Sequence, residues 1–150
     1  MMKKGDTIPS FELKDDKGEV FRSDDHVGKH ALVIYFYPKD ETKGCTLEAC
    51  SFRDAYQDFR DAGAEVVGIS SDSIKRHQKF RQNHRLPFIL LSDPGRKVAK
   101  QFGVKGDLLG LIPGRETFIF DKNGTLVHSF RSQMRFDQHV KESLQALREA

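Results

Sequence analysis

The segment Ala31–Tyr37 (ALVIYFY) is apolar at every position. A strand with hydrophobic side chains on both faces must be covered on both, as an inner strand of a layered α/β sheet is. Ala64–Ser70 and Phe88–Leu91 have the same character. Glu116–Phe120 and Leu126–Phe130 flank Asp121-Lys122-Asn123-Gly124, a hairpin turn sequence, and an earlier hairpin surrounds Asp15-Asp16-Lys17-Gly18. Helical spacing falls between these strands. Ala49, Phe52, Tyr56 and Phe59 predict one helix ending at Gly63, and Asp72 or Ser73 caps a second that runs to about His84 before Pro87. Asp93-Pro94 opens a short helix carrying Val98 and Phe102 and closed by Gly103. Asp137 caps a last helix with Val140, Leu144 and Leu147 as its core stripe. Strand, helix, strand, helix, strand, hairpin and helix together predict an α/β sandwich with a mixed sheet.

A chain of 150 residues with 37% hydrophobic and 31% charged residues reads as one globular domain that buries a core without staples. Its net charge is +3, from 25 Lys and Arg against 22 Asp and Glu. So slight and dispersed an excess argues against a dedicated nucleic-acid or polybasic membrane binder. The basic stretch Lys75–Arg81 reads as a solvated helix face, with docking of an acidic partner the less favoured alternative. No apolar run approaches the ~20 residues of a membrane helix. Residues Met1–Lys14 carry no apolar signal region, which makes the cytosol the default expectation.

The two cysteines, Cys45 and Cys50, carry the chemistry. A chain of this size has no need of one structural bridge, so a pair five residues apart reads better as reactive. Cys45 follows the buried strand after the loop Pro38–Gly44 and stands where the first helix begins. The crevice beyond a strand's carboxyl end is the usual site in an open α/β sheet. A helix N-terminus offers free N–H groups and partial positive charge, both suited to a thiolate. Gly44 would permit a close backbone approach or tight turn, and Pro38 stiffens the loop. The competing reading is an inert buried cysteine. In a continuous helix Cys45 and Cys50 would have Cα atoms ~8–9 Å apart and point ~140° apart. A disulfide needs Cα atoms within about 7 Å, so a bridge here would require the helix start to unwind. A structural bridge has no reason to carry that conflict, whereas a catalytic pair does. The alternative is that Cys50 is merely a small, half-buried helix residue.

Metal binding is unpersuasive, because two thiols would need two further ligands. The six histidines (His26, His30, His77, His84, His128 and His139) are read as having no paired ligand spacing. His77 and His84 fall with Phe80 on one side of their helix and read as packed or half-buried. The stretch Asp40–Thr46 contains Gly and Lys but lacks the order of a phosphate-binding loop.

Phe36–Asp54, with Pro38, Thr42, Cys45 and Cys50 in the pattern PxxxTxxC followed by a cysteine five residues on, resembles the active-site segment of the peroxiredoxins. The likeness is strongest to the peroxiredoxin Q / bacterioferritin comigratory protein subfamily. It continues through Leu86-Pro87-Phe88, Leu91-Ser92-Asp93 and Arg115–Asp121, nearly the whole chain. Lys43 departs from the pattern, since the subfamily often has Pro before the Gly. The resemblance implies a single thioredoxin-like domain over residues 1–150, a mixed central sheet flanked by helices with an N-terminal hairpin. It implies that Cys45 is the peroxidatic and Cys50 the resolving cysteine. Thr42 would hydrogen-bond peroxide and thiolate, Arg115 would hold the thiolate and the charge developing on the peroxide, Pro38 would shield the thiol, and Glu48 would orient Arg115. Taken alone, Thr42 reads as a turn residue, Arg115 as one end of a surface salt bridge and Glu48 as a first-turn residue facing the helix dipole. The implied cycle passes through a Cys45 sulfenic acid and a Cys45–Cys50 disulfide to reduction by a dithiol such as thioredoxin, in a monomer, with no metal, haem or flavin. A redox sensor or disulfide carrier with little peroxide turnover, and a non-catalytic binding module, are the competing functions. The apolar segment Asp107–Gly114 is either a partner or substrate surface or a loop folded on its own core.

Overall fold

The computed structural model describes residues 2–106, 114–132 and 135–150. The expectation for the apolar segment 107–113 lies outside the described residues. Seven strands form one mixed sheet: β1 (Glu12–Asp15), β2 (Val20–Arg22), β3 (Ala31–Phe36), β4 (Ala64–Ser70), β5 (Ile89–Ser92), β6 (Glu116–Phe120) and β7 (Leu126–Arg131), in the order β2-β1-β5-β4-β3-β6-β7. The central β3, β4 and β5 are parallel, and the flanking pairs are antiparallel. The helices are α1 (Lys43–Asp54), α2 (Tyr56–Asp61), α3 (Ile74–His84), α4 (Lys97–Gln101) and α5 (Phe136–Glu149).

Alternation along β3 divides the core in two. Val33, Tyr35 and then Tyr37 point towards Ala49 and Phe52 of α1, Phe59 of α2, Phe80 of α3, and Val140 and Leu147 of α5. Leu32, Ile34 and Phe36 point the other way, onto Val98 and Phe102 around α4 and onto Ile8, Phe11 and Phe21 of the N-terminal segment. Every residue of β3 and β4 is buried, as expected of strands that read as continuous apolar runs. Both expected hairpins form, with Gly18 and Gly124 in the left-handed region at their turns.

Three expectations need correction. The stripe from Ala49 to Phe59 is two helices, because the backbone kinks at Ala55 (φ −98°, ψ 4°). The kink keeps Phe59 against Phe52 at 5.6 Å while the Tyr56 hydroxyl donates to Glu65 on β4. Asp137 lies inside the first turn of α5 rather than at its cap, which is Arg135. The basic face of α3 is not wholly solvated: Arg81 forms an ion pair with the buried Asp16, Gln78 donates to the Asp16 carbonyl, and α3 thereby braces the first hairpin. Ser73 caps α3 as expected, accepting from the Arg76 N–H at 3.2 Å. Asp93 accepts from the N–H groups of Val98 and Ala99 at the start of α4.

Tyr35 on β3 lies opposite Gly68 on β4, and its ring covers the glycine. A Cβ at Gly68 would stand 2.9 Å from the Tyr35 ring, which is held from the other side by Phe52 at 4.5 Å. Gly68→Ala should therefore cost about 1–3 kcal/mol, by overpacking of a closed core, and urea denaturation monitored by circular dichroism measures it.

Candidate active site

The chain leaves β3 at its carboxyl end, passes through Tyr37–Thr42 and enters α1. Cys45 stands in the first turn of α1, and Glu48, Ala49 and Phe52 follow on the same buried face at helical spacing. Cys45 is only 1% exposed. Its sulfur accepts a hydrogen bond from Nη2 of Arg115 at 3.2 Å. The same guanidinium donates from Nη1 to Oε1 of Glu48 at 2.6 Å. One cation thus bridges two groups that can carry negative charge, and all three side chains are buried.

Topology brings these residues together. Glu116 pairs with Phe36, so Arg115 at the entry to β6 lies beside the end of β3, where the loop to α1 begins. Gly114 makes that entry possible: a Cβ there would stand 2.0 Å from the Lys105 carbonyl oxygen. Sequence reasoning passed over this glycine, because close backbone approach leaves no periodic or motif signal.

The Cys45 and Cys50 thiols are both free. Cys50 lies off the buried face of α1 and is half-buried. Since α1 is helical through both residues, helix geometry holds their Cα atoms ~8–9 Å apart. Pro38 is half-buried in the loop that follows β3, and Thr42 is exposed immediately before α1. The Thr42 hydroxyl donates to the Lys39 carbonyl at 2.8 Å and is not directed to the sulfur. Gly44 is an ordinary helical residue. The tight turn expected there is made instead at Glu41, which adopts φ 64° and is held by hydrogen bonds from Asn83 and His84 to its carboxylate, both at 2.6 Å. Lys43 occupies the first helical position, where a proline is readily accommodated.

Behind Arg115 lies a residue that the sequence reading left without a role. His139 of α5 is fully buried. Its Nε2–H donates to the Ser132 carbonyl at 3.0 Å, which leaves Nδ1 to accept from the Thr117 hydroxyl at 2.6 Å. Burial lowers its pKa to about 4, so it is neutral near pH 7, and its 3.6 Å approach to Glu48 Oε2 is not an ion pair. A buried histidine on an otherwise apolar helix stripe was the available signal. Burial likewise raises Glu48 to about 7, against the pull of Arg115.

Among the described residues no group of three His, Cys, Asp or Glu side chains could hold a metal. The reading of unpaired histidines needs one correction: His26 and His30, four apart, meet at 2.8 Å, because the turn between them brings the two rings edge to face. The described residues also include no helix long and apolar enough to cross a membrane.

Comparison with known proteins finds similarity over most of the chain. Residues 4–129 match the AhpC/TSA family model. Chloroplastic peroxiredoxin Q of Sedum lineare is 50% identical over 144 residues, 96% of this chain and 77% of the relative. Among the plant relatives the chain covers 66–77% of their length. The peroxidoxin BcpB of Mycobacterium tuberculosis superposes with a TM-score of 0.90 at 39% identity, over 99% of this chain and 98% of that one. The Xanthomonas campestris bacterioferritin comigratory protein, whose alkyl peroxide reduction activity has been studied structurally, gives 0.85 at 31% identity, over 96% of this chain and 98% of that one. The fold is therefore the thioredoxin-like one. The cytosolic expectation does not stand, because the plant relatives are named as chloroplast proteins. A polar run at residues 1–14 does not distinguish cytosol from an organelle interior.

Glu48 and His139 titrate with opposite effects on stability. Glu48 binds its proton more tightly when folded, so its contribution falls as pH rises from about 4.5 to about 7. His139 binds its proton less tightly when folded, so its contribution rises from about pH 4 to 6.5. Each slope masks the other. Glu48→Gln should make stability climb more steeply with pH across this window and His139→Gln should make it decline, as read from urea midpoints at each pH.

Proposed function

Because the chain belongs to the AhpC/TSA family, among the peroxiredoxins of the Q type, we propose that Cys45 is the sulfur that attacks peroxide in this thiol-dependent peroxidase, and that Cys50 resolves it. The hydrogen bond of 3.2 Å from Arg115 to the Cys45 sulfur carries this reading. Arg115 and the N–H groups opening α1 stabilise negative charge on sulfur, the nucleophilic form of the residue.

Attack forms an S–O bond and breaks the O–O bond. Sulfur gives up two electrons and becomes a sulfenic acid, while the distal oxygen takes a proton and leaves as water or an alcohol. Charge moves from sulfur towards the leaving oxygen during that step. Arg115 is the donor that follows it, and preorganised donors of this kind lower barriers most. Thr42 is assigned to hold the peroxide once its hydroxyl turns from Lys39. Pro38 and the fit of Gly44 in the first turn keep bulk water from the sulfur, and Glu48 orients Arg115.

Condensation of the Cys50 thiol with the sulfenic acid then releases water and forms the disulfide. Helix geometry forbids this with α1 intact, so the first turns must open. The opening is inexpensive locally: Thr42 makes no side-chain cap bond, the first turn contains no acid, and Gly44 is a weak helix former. A dithiol reductant, which we assign as thioredoxin, restores both thiols. Both sulfurs lie in one chain, so the cycle needs no partner subunit and the monomer suffices. Hydrogen peroxide and organic hydroperoxides are both substrates in this reading.

Intact mass spectrometry after one equivalent of peroxide tests the assignment. Wild type should form an internal disulfide, Cys50→Ser should retain a sulfenic acid, and Cys45→Ser should show no peroxide-dependent change; oxidation of Cys50 in that last variant would reverse the roles. Arg115→Lys should lower the second-order rate with peroxide by about 10²–10³. Steady turnover with thioredoxin separates a peroxidase from a redox sensor.

A further inference from the structure

The loop that carries Pro38 and Thr42 is fastened by its side chains to α3. Asp40 lies within it, buried, and accepts from the Tyr37 hydroxyl at 2.6 Å through Oδ1 and from Nδ1 of His77 at 2.6 Å through Oδ2. His77 is fully buried, and its Nε2 faces the Leu91 carbonyl of β5 at 2.9 Å. A carbonyl can only accept, so Nε2 donates to Leu91, and the bond and charge of Asp40 favour a second proton on Nδ1, the imidazolium form. The backbone N–H of Asp40 donates to Asp72, which the Ser70 hydroxyl also reaches. Seven residues along the same stripe of α3, His84 holds Glu41, the next loop residue, in its left-handed conformation. Two consecutive acids of the loop are thus held by two histidines of one helix.

None of these contacts touches Cys45, Cys50 or Arg115, and the reaction as described above does not use them. What they fix is the path of Pro38–Thr42. Resting on the assignment of Cys45 as the attacking sulfur, we infer that His77 is a positioning residue for peroxide attack: through its bond to Asp40 it holds the Pro38–Thr42 loop in register with the start of α1.

A buried ion pair is a stringent positioning device, because removing one member leaves the other charge without compensation. The groups facing His77 are Asp40 from the loop, Asp72 beyond β4, the Tyr37 ring, and the Leu91 carbonyl of β5. Burial alone would strip its proton, but the bond and charge of Asp40 outweigh this and raise its pKa. The ion pair is therefore favoured below that raised value and is lost as pH rises through it. Deprotonation would turn a ring lone pair towards the Asp40 carboxylate or the Leu91 carbonyl.

Stopped-flow measurement of the second-order rate of the reduced, full-length protein with hydrogen peroxide, from neutral to alkaline pH, tests this. Wild type should lose rate at the alkaline end. His77→Asn keeps a donor towards Asp40 but cannot titrate; it should stay within severalfold of wild type at neutral pH and lose the alkaline decline. His77→Gln reaches Leu91 but abandons Asp40, and should fall by about 10–100-fold, the scale of a roughly 1 Å misplacement. An unchanged rate in His77→Gln, or the same alkaline decline in wild type and His77→Asn, would overturn the inference. If His77→Gln does not fold, the His77→Asn profile alone decides. A wild type that does not react at Cys45 would refute the functional assignment itself.

Discussion

The guanidinium of Arg115, shared between the Cys45 sulfur and the Glu48 carboxyl, ties the fold to the chemistry. A buried cation is costly unless its charge and its N–H groups are met, and here α1 meets the charge and both Nη atoms with two side chains three residues apart. Glu48 is pulled both ways: burial favours its neutral form and Arg115 its ionised form, and the balance stands at about 7. Ionised, it takes a share of the Arg115 charge; protonated, it leaves more of that charge to the sulfur. The position of Glu48 on this balance therefore bears on how strongly Arg115 can follow the electrons as the O–O bond breaks.

The two fully buried histidines show how environment selects opposite behaviour from one residue type. His77 faces Asp40 at 2.6 Å and is pushed towards its charged form. His139 is pushed towards its neutral form by burial and by the nearby Arg115 cation, against the pull of the Ser132 carbonyl. Each suits its place. A cation behind Glu48 would compete with Arg115 for the carboxylate, whereas a neutral ring with a defined tautomer supports the site without altering its charge. A neutral ring beside Asp40 would leave a carboxylate buried with fewer donors.

Much of this was legible in the residues. β3 and β4 declared themselves because burial on both faces demands apolar side chains throughout, and the hairpins because a left-handed turn demands Gly18 and Gly124. The place of Cys45 in the first turn of α1, beyond the end of β3, was legible because a buried strand, a loop with Pro38 and Gly44 and a helical stripe follow one another in the chain. The kink at Ala55 was not, since two helices that share a buried face keep the same periodicity. Gly114 was hidden because its constraint is a carbonyl nine residues earlier in the chain. His77 and His84 were read as packed or half-buried and His139 was given no role, because their partners, Asp40, Glu41 and Thr117, are assembled only by the tertiary fold. The bond from the Thr42 hydroxyl to the Lys39 carbonyl was not legible either, because it depends on how the loop folds back on itself.

In the proposed cycle α1 must satisfy two incompatible demands, and its composition divides them along its length. The first turn is weak: an unused cap, a glycine, and an exposed lysine where the helix dipole disfavours positive charge. The following turns are strong, with Ala49 and Phe52 wholly buried against β3 and α5 close by. Cys45 stands at the boundary between these regimes, and Cys50 lies within the stronger one on a face that does not enter the core. Opening can then carry the oxidised sulfur out towards Cys50 while Phe52 holds the remainder of the helix on the sheet. The loop before α1 is fastened separately, to α3, so the turn that unwinds is bounded on both sides by structure that need not move.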